Sequence, residues 1–333
     1  MFNDPSNSLA NRILENGPDG RNRGRFTDCR PRLDEMRVTK DPLEVERIQK
    51  ACNITALALT RVMREVESGR YEFGMEALIE GTFREYGAAM PGFSSIVGSG
   101  PGATTLHYEA NDREIGEGEL LLMDIGAEYG MYTADITRTI PVSGEFSEAQ
   151  RTIYQLVLDA QLAAIEQMNP GNMFTDGHMA AKEVILSGLE QLGLITDRTS
   201  PWQIDFYLIY ASSHYLGLDV HDVGDMGGTF ASFKRDQVLD SMQSRVLEKG
   251  MVLTIEPGLY FRENGLDQLH EIYGAQADSS EIAAFIHAVS PAYDVYKNIG
   301  VRIEDDILIT ADGHIVLSRY APKQIEDIEM IMR

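Results

Sequence analysis

The stretch LLLMDIGAEYGMYTADITRT (residues 120–139) decides the fold class of this chain. Asp124 ends an apolar, β-prone run, and Asp135 lies in a second β-prone run 11 positions later. Gly126 and Gly130 lie between the two runs and allow a hairpin turn. The two strands would bring the aspartates side by side. Because a carboxylate among apolar neighbours needs a compensating partner, the pair predicts a site that a cation neutralises.

A second stretch repeats this arrangement. Glu256 ends the apolar run MVLTI and, like Asp124, is followed by one residue and then a glycine. A glycine lies six positions before each of these acids, at Gly118 and Gly250. Glu304 lies in a further apolar run, GVRIEDDILIT. We therefore predict an α+β fold of two similar half-domains, which present carboxylates at strand ends to a shared centre.

Apolar periodicity and terminal signals predict the helices that flank these strands. Helices are expected from Asp41 to Gly69 and over 75–86, 148–168 and 176–192. Glycine-rich strand regions are expected over 213–228, 251–260 and 301–310. The first 30 residues lack periodicity, so we expect residues 1–37 to form an extension or linker and residues 38–333 to form one compact domain.

Three histidines are candidates for the same site. In HYLGLDVHDVG, His214 and His221 lie on either side of Gly217, and both can approach one centre only if the glycine bends the chain. His107 lies shortly before the first acidic stretch. For the remaining histidines we expect ordinary surface or core positions: His178, His270, His287 and His314.

Charge balance indicates how many cations the site takes. The four carboxylates Asp124, Asp135, Glu256 and Glu304 are balanced by two divalent cations, with one neutral imidazole completing the set. Oxygen-rich ligands with one nitrogen favour Mn²⁺, with Co²⁺, Zn²⁺ or Fe²⁺ as alternatives. Two such ions form a hydrolytic centre, because they activate water at neutral pH and polarise a carbonyl.

Composition and charge exclude several other classes of protein. Against 29 Lys and Arg stand 52 Asp and Glu, and the net charge of −23 disfavours binding to phosphate backbones. No apolar run approaches the roughly 18 residues of a membrane span. No secretory signal is visible, and two cysteines are too few for a disulfide framework. We therefore expect a cytoplasmic protein that binds neither nucleic acid nor membranes.

Five ordered motifs resemble the pita-bread metallopeptidases, the group that holds methionine aminopeptidase, aminopeptidase P and prolidase. The similarity to the Xaa-Pro peptidases is strongest in HYLGLDVHDVG, MDIGAEYGMYTADITRT, TIEPGLYF and GVRIEDD. The resemblance covers about residues 38–333, which it implies are a metallopeptidase catalytic domain. The fold that it implies is the pita-bread fold, with two pseudo-symmetric half-domains.

The resemblance implies a ligand set for two metal ions. Asp135 and Glu304 would bridge the ions, and Asp124 would bind one of them. His214 and Glu256 would complete the coordination of the other ion. In catalysis, Glu256 or the bridging hydroxide itself would accept the proton.

The resemblance also implies roles for residues around the ligands. His107 and His221 match histidines that stabilise the tetrahedral intermediate and transfer protons. Arg302 matches an arginine near the site, and it shares a strand face with the acid two positions later. Tyr260 matches a tyrosine that lines the proline pocket. Tyr210 stands where the family has a histidine on the substrate side, so we expect Tyr210, Tyr260 and His221 to bind substrate.

Departures from the family pattern concern the substrate side. Residues 1–37 stand where Xaa-Pro peptidases have a much longer N-terminal domain, and they read as its remnant or as a linker. A long insertion, roughly residues 262–298, resembles one in prolidases. However, Met242 falls where prolidases have an arginine for the dipeptide carboxylate, with Arg245 one turn away as a substitute.

The function implied by the resemblance is a dinuclear-metal-dependent Xaa-Pro aminopeptidase. Such an enzyme hydrolyses the bond between an N-terminal residue and a following proline. A prolidase-type Xaa-Pro dipeptidase is the alternative, and a non-catalytic pita-bread protein that binds a peptide or partner is a third reading. The expected partners are a peptide with proline at the second position and further copies of this chain, in a homodimer or higher homo-oligomer.

Overall fold

The computed structural model describes residues 29–227 and 244–333. Its helices are α1 (Arg30–Val38), α2 (Pro42–Glu65), α3 (Glu72–Glu85), α4 (Glu148–Glu166), α5 (Asp176–Gln191), α6 (Pro201–Tyr207), α7 (Leu269–Tyr273), α8 (Ser279–Tyr296) and α9 (Ile325–Met332). Its strands are β1 (Met90–Pro91), β2 (Ile96–Ser99), β3 (Leu120–Ile125), β4 (Ala127–Tyr129), β5 (Tyr132–Thr133), β6 (Ile136–Pro141), β7 (Val252–Ile255), β8 (Gly258–Tyr260), β9 (Gly300–Arg302), β10 (Asp305–Ile309) and β11 (His314–Val316). The predicted mixture of helices and strands is confirmed. Among these helices, none has the length and apolar character needed to cross a membrane.

Helix α2 begins where the sequence predicts. The Asp41 side chain accepts hydrogen bonds from two main-chain N–H groups of the first turn, and Glu44 completes the capping box. The apolar positions of the helix are buried in the core, as at Ile48. The helix ends at Glu65, slightly before the predicted stop at Gly69. The other predicted helices, now α3, α4 and α5, lie within three residues of their expected bounds.

Strands β3 and β6 position the first pair of carboxylates. The strands are antiparallel, and Asp124 lies opposite Thr137. Asp135 is two residues before Thr137, so it lies on the same face, one step beyond the ladder. A Cβ on Gly126 would lie 1.8 Å from the carbonyl oxygen of Ala134, so only glycine permits this close crossing. The two aspartates are therefore diagonal neighbours rather than direct cross-strand partners.

The second half of the molecule repeats this arrangement with β7 and β10. These strands are also antiparallel, with Ile255 opposite Asp305. Glu256 follows one strand and Glu304 precedes the other, so both acids leave the ladder at the same end. The main-chain N–H of Glu304 donates to the carbonyl of Thr137 at 3.1 Å. The two predicted half-domains therefore meet where their carboxylates lie, in a pita-bread fold.

Arg138 on β6 joins the two halves behind these carboxylates. Its side chain is fully buried, and Nη2 lies 2.7 Å from Oδ1 of Asp305. Its Nη1 donates to the main-chain carbonyl of Glu304 at 2.6 Å. Lys323 lies 2.7 Å from the other oxygen of Asp305. Burial opposes ionisation of Asp305, but the charges of Arg138 and Lys323 outweigh it and hold the pKa of that carboxyl below its usual range.

A strand is predicted over 213–228, a segment that the structure describes as far as residue 227. The prediction is wrong, because the described part of the segment forms no strand. Tyr215 makes only an isolated bridge to the neighbouring strand β7. After Gly217 the chain turns back, and the main-chain N–H of Asp222 donates to the carbonyl of Tyr215. A buried ion pair between Lys40 and Asp222, 3.3 Å apart, holds this turn. The bend at the glycine that we expected between the two histidines is confirmed.

The predicted insertion over 262–298 lies between the paired strands β8 and β9, where Tyr260 is opposite Gly300. It forms the helices α7 and α8 rather than an open loop. Phe285 of α8 packs edge-on against Trp202, with ring centroids 5.0 Å apart. The insertion therefore belongs to the core of the second half.

Helix α1 spans the boundary predicted at residue 37, and residues 1–28 lie outside the described residues. Glu35 of α1 forms an ion pair with Arg245 at 2.6 Å. Arg37 pairs with Asp219 at 2.7 Å. The described end of the predicted extension is therefore in contact with the predicted compact domain.

Candidate metal centre

Nearly all of the site residues that the sequence predicts line one cavity of about 390 Å³. Its lining includes His107, Asp124, Asp135, Tyr210, His214, His221, Glu256, Arg302 and Glu304. Tyr260 adjoins this lining through hydrogen bonds to two of its members. The residues come from both half-domains, so the cavity lies where the halves meet.

The centre of the cavity is a compact group of three candidate ligands. One side-chain atom each of Asp135, His214 and Glu304 lies within 4.8 Å of the others. Nε2 of His214 is 3.4 Å from Oδ2 of Asp135 and 3.5 Å from Oε1 of Glu256. Its Nδ1 lies 3.0 Å from the main-chain carbonyl of Tyr215, which can only accept a hydrogen bond. In the neutral ring the hydrogen is therefore on Nδ1, and the lone pair of Nε2 faces the carboxylates.

Several carboxylate oxygens of this cavity are buried without a hydrogen-bond partner among the described residues. They are Oδ1 of Asp124, Oδ1 of Asp135 and Oε1 of Glu304. A buried carboxylate oxygen without a donor is costly, and an imidazole lone pair facing it adds repulsion. Divalent cations placed between these atoms would remove both costs. The residues present therefore fit a metal centre.

The pKa values of the carboxyls in the cavity are raised by the same burial and by the charges of neighbouring carboxylates. Burial, and then the charge of Asp124, raise the pKa of Asp135. Burial, and then the charge of Asp135, raise the pKa of Glu304. Burial also raises the pKa of Glu256 above its ordinary value. The charged forms of these groups are therefore unfavourable in the metal-free protein.

This predicts how the stability of the metal-free protein depends on pH. The carboxyls have higher pKa values folded than unfolded, so the folded chain binds more protons between the two values. The free energy of unfolding should therefore fall as pH rises from about 6.5 to about 8. Burial lowers the pKa values of His178 and His221 from 6.5, so these two histidines oppose the fall until about one pH unit above that value.

Denaturant unfolding of chelator-treated protein measures this dependence. The matched variant Glu256→Gln should show a weaker fall, because it lacks one of the carboxyls with a raised pKa. Saturating Mn²⁺ should abolish the fall. A metal-free protein that gains stability over this pH interval would contradict the prediction.

Arg302 supplies the positive charge that faces the carboxylates. It is 3% exposed, and its Nη2 donates to Oδ2 of Asp124 at 2.5 Å. Its Nε donates to the hydroxyl of Thr137 at 3.1 Å, and that hydroxyl donates to Oε2 of Glu304 at 2.7 Å. Arg302 therefore orients Asp124 directly and Glu304 through Thr137. The other oxygen of each acid has no hydrogen-bond partner in the described part of the chain.

Asp306 is a part of the centre that the sequence reading missed. It is fully buried, and Oδ2 accepts the main-chain N–H of Asp135 at 3.1 Å. The thiol of Cys52 donates to the same oxygen at 3.2 Å. Burial raises the pKa of Asp306 to about 7. The available signal was its position two residues after Glu304, which places both acids on one strand face.

The histidines divide as the sequence suggests. The rings of His214 and His221 are 4.4 Å apart and nearly perpendicular. Burial, and then the charges of His214 and His107, lower the pKa of His221, which favours its neutral ring. His178 is buried outside the cavity, where its Nδ1 lies 3.0 Å from the hydroxyl of Ser212. The remaining three, His270, His287 and His314, do not line the cavity.

Of the two residues considered for a dipeptide carboxylate, the structure describes only Arg245, which does not line the cavity. Met242 lies outside the described residues. Arg245 directs both terminal nitrogens to Glu35, at 2.6 and 2.7 Å. Its guanidinium is therefore engaged at helix α1.

Comparisons with known proteins bear on the same centre. Residues 46–311 match the model of metallopeptidase family M24. The Xaa-Pro aminopeptidase of Haemophilus influenzae is 39% identical over 92% of this chain and 63% of its own length. The Xaa-Pro aminopeptidase of Escherichia coli is 36% identical over 92% of this chain and 62% of its own length.

Solved structures give the same picture. The aminopeptidase PepP of Pseudomonas aeruginosa superposes with a TM-score of 0.74 at 35% identity, over 90% of this chain and 61% of that one. A variant of Escherichia coli aminopeptidase P in complex with substrate gives 0.75 at 36% identity, over 92% and 62%. The chain thus spans a little over three fifths of the length of these relatives.

Proposed function

Since this chain belongs to metallopeptidase family M24, we propose that it is a metal-dependent Xaa-Pro aminopeptidase. The observation that carries the proposal is the cavity in which Asp135, His214 and Glu304 converge with buried carboxylate oxygens that have no donor within residues 29–227 and 244–333. The names of the relatives support the reaction and the substrate class. The reaction is hydrolysis of the bond between an N-terminal residue and a following proline.

The proposed ligands would hold two divalent ions, and we propose Mn²⁺ as the metal. The ligands are Asp124, Asp135, His214, Glu256 and Glu304. The predominance of oxygen ligands with one imidazole favours Mn²⁺, and Co²⁺, Zn²⁺ and Fe²⁺ are the alternatives. When bound, such ions supply Lewis acidity and a strong oxygen nucleophile at neutral pH. Asp135 and Glu304, each with a side-chain oxygen within 4.8 Å of a ring nitrogen of His214, would hold the ions together with the other three ligands.

The side chains around the ligands would manage charge and protons. His221 lies against His214 with a neutral ring, which can donate a hydrogen bond to the oxygen on which charge develops. His107 lines the same cavity and is assigned the same task. Glu256 lines the same cavity and would accept a proton and return it to the leaving nitrogen. Arg302 holds Asp124 in place.

The cavity wall suits a proline residue. Leu106, Ala211 and Met226 line it beside the polar groups, and Tyr210 and Tyr260 extend the wall. The nitrogen of a peptide bond before proline has no hydrogen, and the ring fixes φ. A site that selects this bond therefore works through shape and apolar contact rather than through a hydrogen bond to that nitrogen.

Replacing His221 with alanine should reduce turnover about a hundredfold, because a positioned donor or proton carrier contributes at least this much. The variant should still bind as many metal ions as the wild-type protein. Steady-state kinetics and elemental analysis of the purified protein measure both quantities. His287→Ala is the control, because His287 is exposed and outside the cavity. A His221→Ala protein that loses its metal would show that the residue is a ligand.

The decisive experiment is Mn²⁺-dependent release of the first residue from Xaa-Pro peptides of increasing length. Tripeptides and longer peptides should be cleaved, and matched peptides with alanine in place of proline should not. Cleavage of dipeptides alone would favour the prolidase-type alternative. A purified protein that binds no metal and cleaves none of the peptides would leave the non-catalytic, peptide-binding reading.

We further propose that the enzyme is cytoplasmic, acts as a homodimer or higher homo-oligomer, and binds neither nucleic acid nor membranes. The acidic net charge of −23 supports the exclusion of nucleic acid. Sedimentation of the full chain tests the oligomeric state. We also propose that residues 38–333 form the catalytic domain and that residues 1–37 are an extension of it.

A further inference from the structure

A chain of hydrogen bonds connects the carboxylate of Asp124 to the main chain of Glu256. Nη2 of Arg302 donates to Oδ2 of Asp124 at 2.5 Å, and Nη1 donates to the hydroxyl of Tyr260 at 2.8 Å. The hydroxyls of Tyr260 and Tyr210 are 3.0 Å apart. The hydroxyl of Tyr210 donates to the main-chain carbonyl of Glu256 at 2.8 Å. The chain thus joins a proposed ligand of one half-domain to a proposed ligand of the other.

The groups at its two ends determine the donor-to-acceptor direction of this chain of hydrogen bonds. A guanidinium only donates, and a main-chain carbonyl only accepts. The hydrogen of Tyr210 is directed to Glu256, so its oxygen accepts the hydrogen of Tyr260. The oxygen of Tyr260 in turn accepts from Arg302. Both phenolic hydrogens are therefore used inside the chain, and neither remains for a substrate.

From this arrangement we infer that Tyr210 is a positioning residue: it holds the main chain at Glu256 and does not donate a hydrogen bond to the substrate. This changes the substrate-binding role that its sequence position suggests. It leaves the phenol ring as part of the cavity wall. The inference rests on the proposed function for its kinetic test but not for its metal-binding test.

The packing around the two phenols supports a fixed position. A Cβ on Gly258 would lie 2.7 Å from the hydroxyl oxygen of Tyr210 and 2.6 Å from that of Tyr260. Only a glycine therefore leaves room for both phenols against the strand. Tyr260 belongs to a small apolar cluster with Ile96 and Leu122, and Tyr210 packs against this cluster.

The connection has a consequence for the metal centre. Glu256 follows strand β7 directly, so a hydrogen bond to its carbonyl restrains the backbone from which the carboxylate projects. The chain of hydrogen bonds that provides this restraint begins at Arg302, which also donates a hydrogen bond to Asp124. Removing the hydroxyl of Tyr210 should therefore disturb the proposed metal ligand Glu256, although Tyr210 is not itself a ligand.

Tyr210→Phe tests this role. Calorimetric titration of the metal-free protein with Mn²⁺ alone should show an affinity about tenfold lower, as for the loss of a group that orients a ligand. Turnover of an Xaa-Pro tripeptide should fall by about tenfold, with KM within about twofold of wild type. Tyr260→Phe should act in the same direction. The double variant should lose less than the product of the two single losses, because both remove links of one chain.

Tyr293→Phe is the matched control. Tyr293 is also buried, and its hydroxyl donates to a main-chain carbonyl, that of Arg262, at 2.9 Å. This variant should keep the Mn²⁺ affinity and turnover of the wild-type protein. If it lost as much as Tyr210→Phe, the effect would be a general one of deleting a buried hydroxyl, and the inference would be overturned.

Three other results would also overturn it. They are a Tyr210→Phe protein with a raised KM and unchanged turnover, unchanged Mn²⁺ affinity in that variant, and single losses that multiply in the double variant. Absence of Xaa-Pro cleavage by the wild-type protein would instead reject the proposed function. In that case the titration with Mn²⁺ alone would still decide the role of Tyr210.

Discussion

Replacing Glu304 with alanine should abolish metal binding and reduce turnover to below about one thousandth of wild type. Glu304 is 1% exposed, and one of its oxygens accepts the hydroxyl of Thr137 while the other has no donor among the described residues. It would hold metal together with Asp135 and His214, with which it forms a compact group, so its loss should affect the whole centre. Asp135→Ala should have the same effect, because its oxygens face the same space.

Elemental analysis and steady-state kinetics on the same preparation measure this effect. Glu329→Ala is the control, since Glu329 is a buried glutamate that pairs with Arg151 outside the cavity. The control should lose some stability but keep its metal and its turnover. Normal metal content and normal turnover in Glu304→Ala or Asp135→Ala would contradict the proposed centre.

Replacing Arg138 with methionine should lower the free energy of unfolding by about 3–5 kcal/mol. The guanidinium is fully buried and bonds the carboxylate of Asp305 together with several main-chain carbonyls, among them that of Glu304. Methionine fills much of the volume but leaves a buried charge with less compensation and carbonyls without donors. Lys323 remains as the only cation paired with Asp305 among the described residues.

Chemical denaturation of the metal-free protein measures this loss directly. Arg61→Met is the matched control, because Arg61 forms ion pairs with Glu65 and Glu85 at the surface. Exposed pairs contribute little to stability, so this control should unfold at the wild-type midpoint. A loss below about 1 kcal/mol in Arg138→Met would show that the two halves do not depend on this residue.

The signals that the sequence reading used successfully are local ones. Pro42 in the first turn of a helix and the glycine that follows a helix are signals within a few positions of the helix end. The same holds for the apolar runs that precede Asp124 and Glu256, which are strands β3 and β7. These features were therefore predictable from neighbouring residues alone.

The strand predicted around Gly217 failed because its outcome depends on distant residues. The apolar run there favours a strand by composition. The turn is held by Lys40, which is 182 positions from its partner Asp222. No pattern within the segment reports that this lysine is buried beside it.

The interactions behind the ligands were also beyond the sequence reading. Nothing in the sequence indicates that the three adjacent acids bind different partners. These acids are Glu304, Asp305 and Asp306. In the structure, Asp305 is paired with Arg138 and Lys323, and Asp306 receives hydrogen bonds from Cys52 and from the main chain of Asp135. The order of the elements decides which of these acids faces the cavity.

The sequence by itself determined the α+β class, the approximate bounds of helices α2 to α5 and the candidate ligands, because residue type, spacing and chain order carry that information. The tertiary structure alone decided that Arg302 contacts Asp124, 178 positions away, and that Tyr210 donates to the main chain of Glu256. Hydrogen bonds act over about 3 Å, so their partners are known only once packing has fixed the distances between distant segments.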